Sequence, residues 1–296
     1  MVQRITIKPQ QIQGSVMTLE SDQTHYLTRV LRLTPGHRFI AQDGQGQQWE
    51  AALTERPNQA TIIKTLATRN SSAGLSGQLS APLRLVAALP KGNSFDQVVR
   101  QATELGVTHI YPVLSERTLL KPSSQKLARW QRIAEEASGQ SERLTVPKIY
   151  EPVTFQQCLI QPVWEPFLAP HLAPQSELEK EGPEQKEQQD SPKGTESTPD
   201  LKYLCIARQG TQTPHLLAHL LSQKAALSQK AVNLSPVNLP GVVLAIGPEG
   251  GWTSDEITDA IKNGYEAVTL GSAILRSVTA PITALSLVTA ARETLI

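Results

Sequence analysis

The residues best suited to chemistry stand in one run, Leu244-Ala245-Ile246-Gly247-Pro248-Glu249-Gly250-Gly251-Trp252-Thr253-Ser254-Asp255-Glu256-Ile257. Its apolar half reads as a buried strand ending at Gly247. A Gly/Pro loop follows, and its three glycines let the backbone come close to a ligand and leave amides uncovered. Thr253 and Glu256 have capping-box spacing and should open a helix carrying Ile257, Ala260 and Ile261, closed by Asn263-Gly264. A Gly-rich loop at the carboxyl end of a parallel strand is where α/β sheets bind ligands. A tight turn needing positive φ would account for the glycines equally well. No Gly-Lys-Ser/Thr follows and no Gly-x-Gly-x-x-Gly is present, which disfavours a phosphate loop and ordinary dinucleotide binding.

A second exit of the same kind comes soon after. A strand, Ala267-Val268-Thr269-Leu270, runs into Gly271-Ser272-Ala273-Ile274-Leu275-Arg276-Ser277-Val278-Thr279-Ala280-Pro281. Two adjacent exits can form one pocket, and Gly271, Ser272 and Ala273 leave room for a ring the size of adenine. Arg276 is a lone charge in an apolar run. It reads either as a surface arginine ending a turn or as a contact to an RNA phosphate or base.

The elements that must position these loops differ between the two ends of the chain. Up to about residue 70, short strands (Arg38–Ala41, Gln48–Leu53, Ala60–Lys64) alternate with Gly, Pro and Asn turns, and a helical turn spans about Asp22 to Leu31. This predicts a small β-barrel, followed by a flexible connector at residues 70–77. From Leu83 strands alternate with helices. Leu83–Leu89 is a buried strand. A helix capped at Asn93 and stopped at Gly106 buries Phe95, Val98, Val99 and Ala102. Another runs from about Ser124 to Ser138 with Leu127, Trp130, Ile133, Ala134 and Ala137 inward, and a last one from about Ile282 to Thr294. Later strands are Tyr203–Ile206 and Val242–Ile246. The alternation predicts a parallel sheet with helices on both faces.

The stretch from about Ala173 to Asp200 is rich in Glu, Gln, Pro and Ser, and is expected to be a disordered surface insertion, because it has too little apolar surface to offset ordering entropy. A second insertion-like stretch follows the helix starting near Pro214, where Ser222-Gln223-Lys224-Ala225 recurs as Ser228-Gln229-Lys230-Ala231. Eight acids against three lysines make residues 177–200 −5, so a chain of net charge +1 has about +6 elsewhere. That suits a nucleic-acid partner without establishing one.

A length of 296 residues favours two domains. No apolar run approaches the ~20 residues of a membrane span, and residues 1–5 resemble neither a signal nor a transit peptide, so a cytoplasmic location is expected. Cys158 and Cys205 read as buried small hydrophobes. The histidines show no metal-ligand spacing beyond His215 and His219, which lack an intervening carboxylate and read as a helix-surface pair; no metal is expected.

These motifs together resemble the 16S ribosomal RNA uracil-N3 methyltransferase family, within the SPOUT class of knotted methyltransferases. The resemblance rests on His25-Tyr26-Leu27 through Arg29-Val30-Leu31-Arg32-Leu33 and Gly36; on Lys91-Gly92 with Ala102-Thr103-Glu104-Leu105-Gly106-Val107; on Ser115-Glu116-Arg117-Thr118; on Trp130, Ile133, Glu136-Ala137, Gln140, Arg143 and Val146-Pro147. It is strongest at Ile246–Trp252 with Leu270-Gly271 and Ile274-Leu275-Arg276 behind it. It implies a PUA-like RNA-binding barrel over 1–72 and, over 82–296, an α/β domain with a trefoil-knotted parallel sheet. It also implies a homodimer sharing the RNA site, 16S ribosomal RNA in the small subunit as partner, and S-adenosylmethionine as methyl donor; neither membrane nor DNA is implied. By family position Leu244, Ile246, Gly247, Pro248, Glu249, Gly250, Gly251, Leu270, Gly271, Ile274, Leu275 and Thr279 line or support the donor pocket, joined by Arg276. Two positions depart from the pattern. Val278 stands where the family has an acidic residue, and Ala273 where it often has Arg.

Uracil N3 carries a proton and is a poor nucleophile until that proton leaves, so a base or a cation stabilising the anion should be near. Arg276 or Arg117 is expected to take the cationic role. Glu249 reads either as proton acceptor or as a carboxylate bonding loop amides. For RNA contact the candidates are Arg4, His25, Arg29, Arg32 and Lys91, with Arg38 and Lys64 as further barrel cations. Competing readings are a non-catalytic RNA-binding or ribosome-assembly module, a SPOUT methyltransferase with another RNA target, and a nucleotide-using metabolic enzyme. The last is disfavoured by the basic barrel and the absence of a phosphate motif.

Overall fold

The computed structural model describes residues 3–67, 81–118, 122–160, 199–207, 213–230 and 240–293. The connector at 70–77 and nearly all of the acidic stretch lie outside them.

The N-terminal sheet contains β1 (Arg4–Thr6), β2 (Ile12–Gln13), β3 (Val16–Thr18), β4 (Arg38–Gln42), β5 (Gln48–Leu53) and β6 (Gln59–Ala67), ordered β1-β4-β5-β6-β3-β2. Only β1 and β4 pair in parallel. Strands from both halves of this sheet feed one core of Ile5, Met17, Phe39, Trp49 and Leu53, so the sheet wraps around it as a barrel-like layer. The expected single helix is two pieces, α1 (Ser21–His25) and a π-helical turn (Tyr26–Val30), in which the Leu31 amide reaches back to the Tyr26 carbonyl. The widened turn buries Leu27 in the barrel core and leaves His25, Tyr26, Arg29 and Val30 exposed.

The second sheet is parallel throughout: β7 (Leu83–Ala88), β8 (His109–Leu114), β9 (Lys148–Ile149), β10 (Val153–Thr154), β11 (Leu201–Cys205), β12 (Val242–Ile246) and β13 (Glu266–Val268). Its order is β10-β8-β7-β12-β11-β13, with β9 also on β8. Side chains alternate between two cores, as the pleat requires. Leu85, Ala87, Leu244 and Ile246 join Phe95, Trp130, Leu216, Leu285 and Val288 from α2 (Ser94–Glu104), α3 (Ser124–Gln140), α5 (Leu216–Lys230) and α7 (Thr279–Glu293). Val86, Ala88, Val243 and Ala245 join Phe155, Cys158 and Ala260 from α4 (Phe155–Ile160) and α6 (Ser254–Lys262). Both faces are covered, which explains the uninterrupted apolar strands.

Details depart from expectation. The Asn93 side chain makes no capping bond, although α2 starts where expected. Helix α7 begins at Thr279 rather than Ile282, with Pro281 in its first turn, where a missing amide costs no helical bond. Helix α5 runs through the repeated Ser-Gln-Lys-Ala stretch as far as Lys230.

Asp200, counted with the disordered stretch, belongs to the folded body. Its carboxylate accepts from Arg84 Nη1 at 2.6 Å, and Arg84 is 4% exposed within β7. Gly241 sits between them; a Cβ there would stand 2.1 Å from Asp200 Oδ1. The clasp ties the start of β11 to β7 across the β12 edge. Arg292 of α7 donates beside it to the Pro82 and Pro240 carbonyls, and burial pulls its pKa down to about 10. Replacing Asp200 by Ala should cost about 2–4 kcal/mol, because a charge-assisted bond to a buried guanidinium is lost; urea unfolding measures it, and a change under 0.5 kcal/mol would show the clasp to be inert.

The two sheets meet at the end of α3. The Val146 amide donates to the Gly44 carbonyl, Gln45 bridges Thr145, and Arg4 pairs with Glu142 at 3.0 Å. Among the described residues no helix is long and apolar enough to cross a membrane. Both cysteines are free and buried, and loss of solvent pushes each thiol up to about 12. Neither should react with iodoacetamide at pH 8 until the protein unfolds; rapid native labelling would contradict that burial.

Candidate active site

Strand β12 lies mid-sheet, so its carboxyl end delivers residues 247–253 to the centre of the sheet edge, against the loops after β7 and β8. The loop has little side chain of its own, and its shape comes from what grips it. The Gly251 amide returns to the Pro248 carbonyl, and Gly251 takes φ +69°, the left-handed region that glycine adopts without strain. Gly247 lies under the Trp252 indole; a Cβ there would come within 3.2 Å of the ring. Trp252 stacks on Phe155 with ring centroids 4.2 Å apart.

Glu256 is the main brace. It is 1% exposed, and its two carboxylate oxygens accept from two different loops: Oε2 from the Thr253 amide at 2.8 Å and Oε1 from the Glu116 amide at 2.9 Å. The Thr253 hydroxyl accepts from the Glu256 amide in return, completing the predicted capping box. Arg117, on the turn that Glu256 holds, lays its stem over Gly250 and donates from Nη1 to the Gly250 carbonyl at 2.5 Å and the Trp252 carbonyl at 3.4 Å. The Ser115 and Thr118 hydroxyls, 2.8 Å apart, close that turn.

Glu249 also joins two loops. Its Oε1 accepts from the Lys91 amide and the Ser277 hydroxyl, each at 3.2 Å. The second exit is thereby tethered beside the first. Thr269 exchanges backbone bonds with the segment Pro214–Leu216, and the chain then crosses back to α7, where the Arg276 carbonyl receives the Thr279 and Ala280 amides. Gly271 takes φ +131°, and no heavy atom lies within 4 Å of a Cβ built on Gly251 or Gly271. Ile274 is 88% exposed. Open backbone at two glycines beside a bare isoleucine provides room and an apolar surface for a flat ligand.

The sequence-predicted residues thus divide. Gly247, Pro248, Glu249, Gly250 and Gly251 form the first loop; Leu270, Gly271, Ile274, Leu275, Arg276 and Thr279 form the second exit; Arg117 comes from a third. Leu244 and Ile246 are buried in the core behind the loop. Arg276 is exposed, and its guanidinium makes no hydrogen bond or ion pair among the described residues. The departing residues behave differently: Val278 packs partly buried against the core, and Ala273 is exposed. Of the RNA candidates, His25, Arg29, Arg32 and Lys91 are exposed, whereas Arg4 is engaged at the junction and Arg38 pairs with Glu50. The expected helix-surface pair of His215 and His219 does not form: His215 precedes α5 and bridges Thr269, while His219 packs edge-on to buried Tyr203 and pairs with Glu266 at 2.9 Å. The second arm of Glu256 was missed, because capping-box spacing reveals only its local bond.

A parallel sheet with two glycine-bearing exits, joined to a barrel-like sheet, here belongs to a chain that matches RNA methyltransferases in sequence. The sequence model for the RNA methyltransferase domain matches residues 78–191 and 175–289, and that for the RNA methyltransferase PUA domain matches residues 19–65. The chain belongs to the ribosomal RNA small subunit methyltransferase E family: it is 38% identical over 295 residues to the member from Synechocystis, covering 99% of this chain and 79% of that one. The member from Bacillus subtilis is 24% identical, over 98% and 96% of the two chains. A crystal structure of the Neisseria gonorrhoeae member bound to S-adenosyl methionine superposes with a TM-score of 0.67 at 25% identity, over 100% of this chain and 98% of that one.

Glu256→Ala should cost about 2–3 kcal/mol by leaving two loop amides unanswered, and should weaken donor binding as well. Urea unfolding and titration calorimetry check both; unchanged donor affinity in a destabilised protein would detach the brace from the site.

Proposed function

We propose that this protein transfers a methyl group from S-adenosylmethionine to N3 of a uracil in 16S ribosomal RNA of the small subunit. The observation that carries this reading is the braced Gly247–Gly251 loop beside the open backbone at Gly271, in a chain whose relatives are named for small-subunit ribosomal RNA methylation. Residues 82–296 hold the chemistry and residues 1–72 dock the RNA, in the cytoplasm; two copies pair so that the RNA site is shared.

S-adenosylmethionine supplies the methyl group already activated as a sulfonium. The chain's task is to orient donor and acceptor in line, worth about 7–11 kcal/mol of barrier. The loop amides of residues 247–251, the carbonyl edges near Leu270 and the apolar faces of Ile274 and Leu275 hold the donor. Arg276 is available to stabilise negative charge on a uracil carbonyl as the N3 proton departs. Arg117 acts as a positioning residue, since its guanidinium is occupied by loop carbonyls. Glu249 likewise positions, its Oε1 being taken by Lys91 and Ser277. On the barrel, His25, Arg29 and Arg32 present a basic edge with the exposed Tyr26 ring among them.

The decisive experiment is transfer of a labelled methyl from S-adenosylmethionine to small ribosomal subunits lacking the modification, with digestion and mapping of the labelled nucleoside. Label on uracil N3 is expected; label elsewhere would change the target, and donor binding without transfer would favour an RNA-binding module. Arg276→Ala should lower kcat by roughly 100-fold or more while donor Kd stays within about three-fold. Equal losses in both would place Arg276 in donor binding instead.

A further inference from the structure

A groove lies between α2 and α3, outside the donor site. Asn93, Gln97, Arg100, Gln125, Arg129 and Arg132 line it, with Asp96 and Glu136 as its carboxylates. Asp96 is already consumed: Arg129 donates to Oδ2 from Nε at 2.8 Å, and the Trp130 indole donates to Oδ1 at 3.1 Å. Arg100 and Arg132 are exposed and have no hydrogen bond or ion pair among the described residues. The groove therefore offers two guanidiniums outside any hydrogen bond and several amide donors, against Glu136 and, beside Arg132, Glu135. The planar guanidinium fork suits phosphate oxygens.

Its position adds a second observation. At one end, Asn93 follows directly on the Lys91-Gly92 loop, whose backbone bonds Glu249 of the donor loop and whose Gly92 carbonyl receives Lys126 Nζ of α3 at 3.2 Å. At the other end, α3 packs against β1 of the barrel and Glu142 pairs with Arg4. Midway, Glu135 of α3 lies within the electrostatic reach of Lys8 and of Glu20, which immediately precedes α1. The groove thus lies between the Lys91-Gly92 loop, which touches the donor loop, and the end of α3 that touches the barrel.

We propose that the α2–α3 groove carries the phosphate backbone of the substrate RNA between the barrel and the donor loop, with Arg100 and Arg132 as its phosphate contacts. This rests on the RNA methyltransferase reading above. It makes the groove a tether that sets which stretch of RNA reaches Arg276, rather than part of the chemistry.

The test uses the full-length protein and unmodified small-subunit ribosomal RNA transcribed in vitro, with affinity measured from low to moderate salt. The double variant Arg100→Glu, Arg132→Glu is compared with wild type and with Lys262→Glu, an exposed control on α6 outside the barrel and the groove. The groove variant should bind RNA about ten-fold or more weakly, with a log Kd against log salt slope smaller by about 1–2. Its donor Kd and urea midpoint should match wild type, as should the RNA affinity of the control. Unchanged RNA affinity and slope in the groove variant, while wild type binds RNA and transfers methyl, would overturn the groove alone. If naked-RNA binding is unchanged but affinity for assembled small subunits falls, the groove contacts a subunit protein and the RNA proposal is again overturned. Failure of wild type itself to bind both the naked RNA and assembled small subunits would bring down the methyltransferase reading and the groove together.

Discussion

A loop made of glycine and proline cannot hold its own shape. Residues 247–251 carry few side chains to pack, yet a donor must find their amides fixed in space. The carboxylate of Glu256 resolves this by accepting from Thr253 on one side and Glu116 on the other. Burying a carboxylate is costly unless it is fully hydrogen-bonded, and bonds to a charged acceptor are the stronger kind. The cost of burial is offset only when both loops are in place, so the carboxylate couples them. Trp252 above Gly247 and Arg117 above Gly250 complete the clamp, and a Cβ on either glycine would crowd them at 3.1–3.2 Å. The glycines thus serve two ends: some make room for the clamp, while Gly251 and Gly271 leave backbone open.

The same logic assigns the charged residues near the site. An arginine bound to two carbonyls and a carboxylate shared by an amide and a hydroxyl have their hydrogen-bonding directions set by the protein. Arg117 and Glu249 are in that state, and Arg276 is not. A group meant to stabilise charge that appears only in the transition state must remain available to the substrate, which makes Arg276 the candidate. Arg4 and Arg38 give the same contrast on the barrel. Both looked like RNA contacts in the sequence, and both are committed to protein carboxylates.

How much of this was legible beforehand follows from the range of each interaction. Apolar alternation and run length are local, so β4 to β7, β11 to β13, α2 and α3 were placed to within a few residues, whereas the short strands β1, β2, β3, β9 and β10, and the Pro-bearing β8, were not read. The capping box was readable because Thr253 and Glu256 are three residues apart. Glu116 lies 140 residues from Glu256, and no local pattern joins them. Asp200 was grouped with its acidic neighbours because composition averages over a window, whereas its partner Arg84 lies 116 residues away. The split of the first helix into α and π turns depends on Leu27 reaching the barrel core, which is a tertiary demand. Val278 packs partly buried against the core, and the tether to Glu249 comes from its neighbour Ser277.

These contacts give the barrel a defined relation to the chemistry. The Gly44–Val146 bond, the Gln45–Thr145 bridge and the Arg4–Glu142 pair fasten it to the end of α3. Gly44 permits this closeness, because a Cβ there would meet the Val146 side chain at 2.9 Å, and its φ of +69° is one that other residues resist. A docking module hung on a free linker would raise only the local concentration of RNA. One seated against the helix that leads toward the donor loop can also fix register, and register decides which base among many is presented to Arg276. Under the proposed function, selection of a single base then becomes a matter of distance along that surface, with hydrogen bonds to the base edge left to distinguish uracil from cytosine.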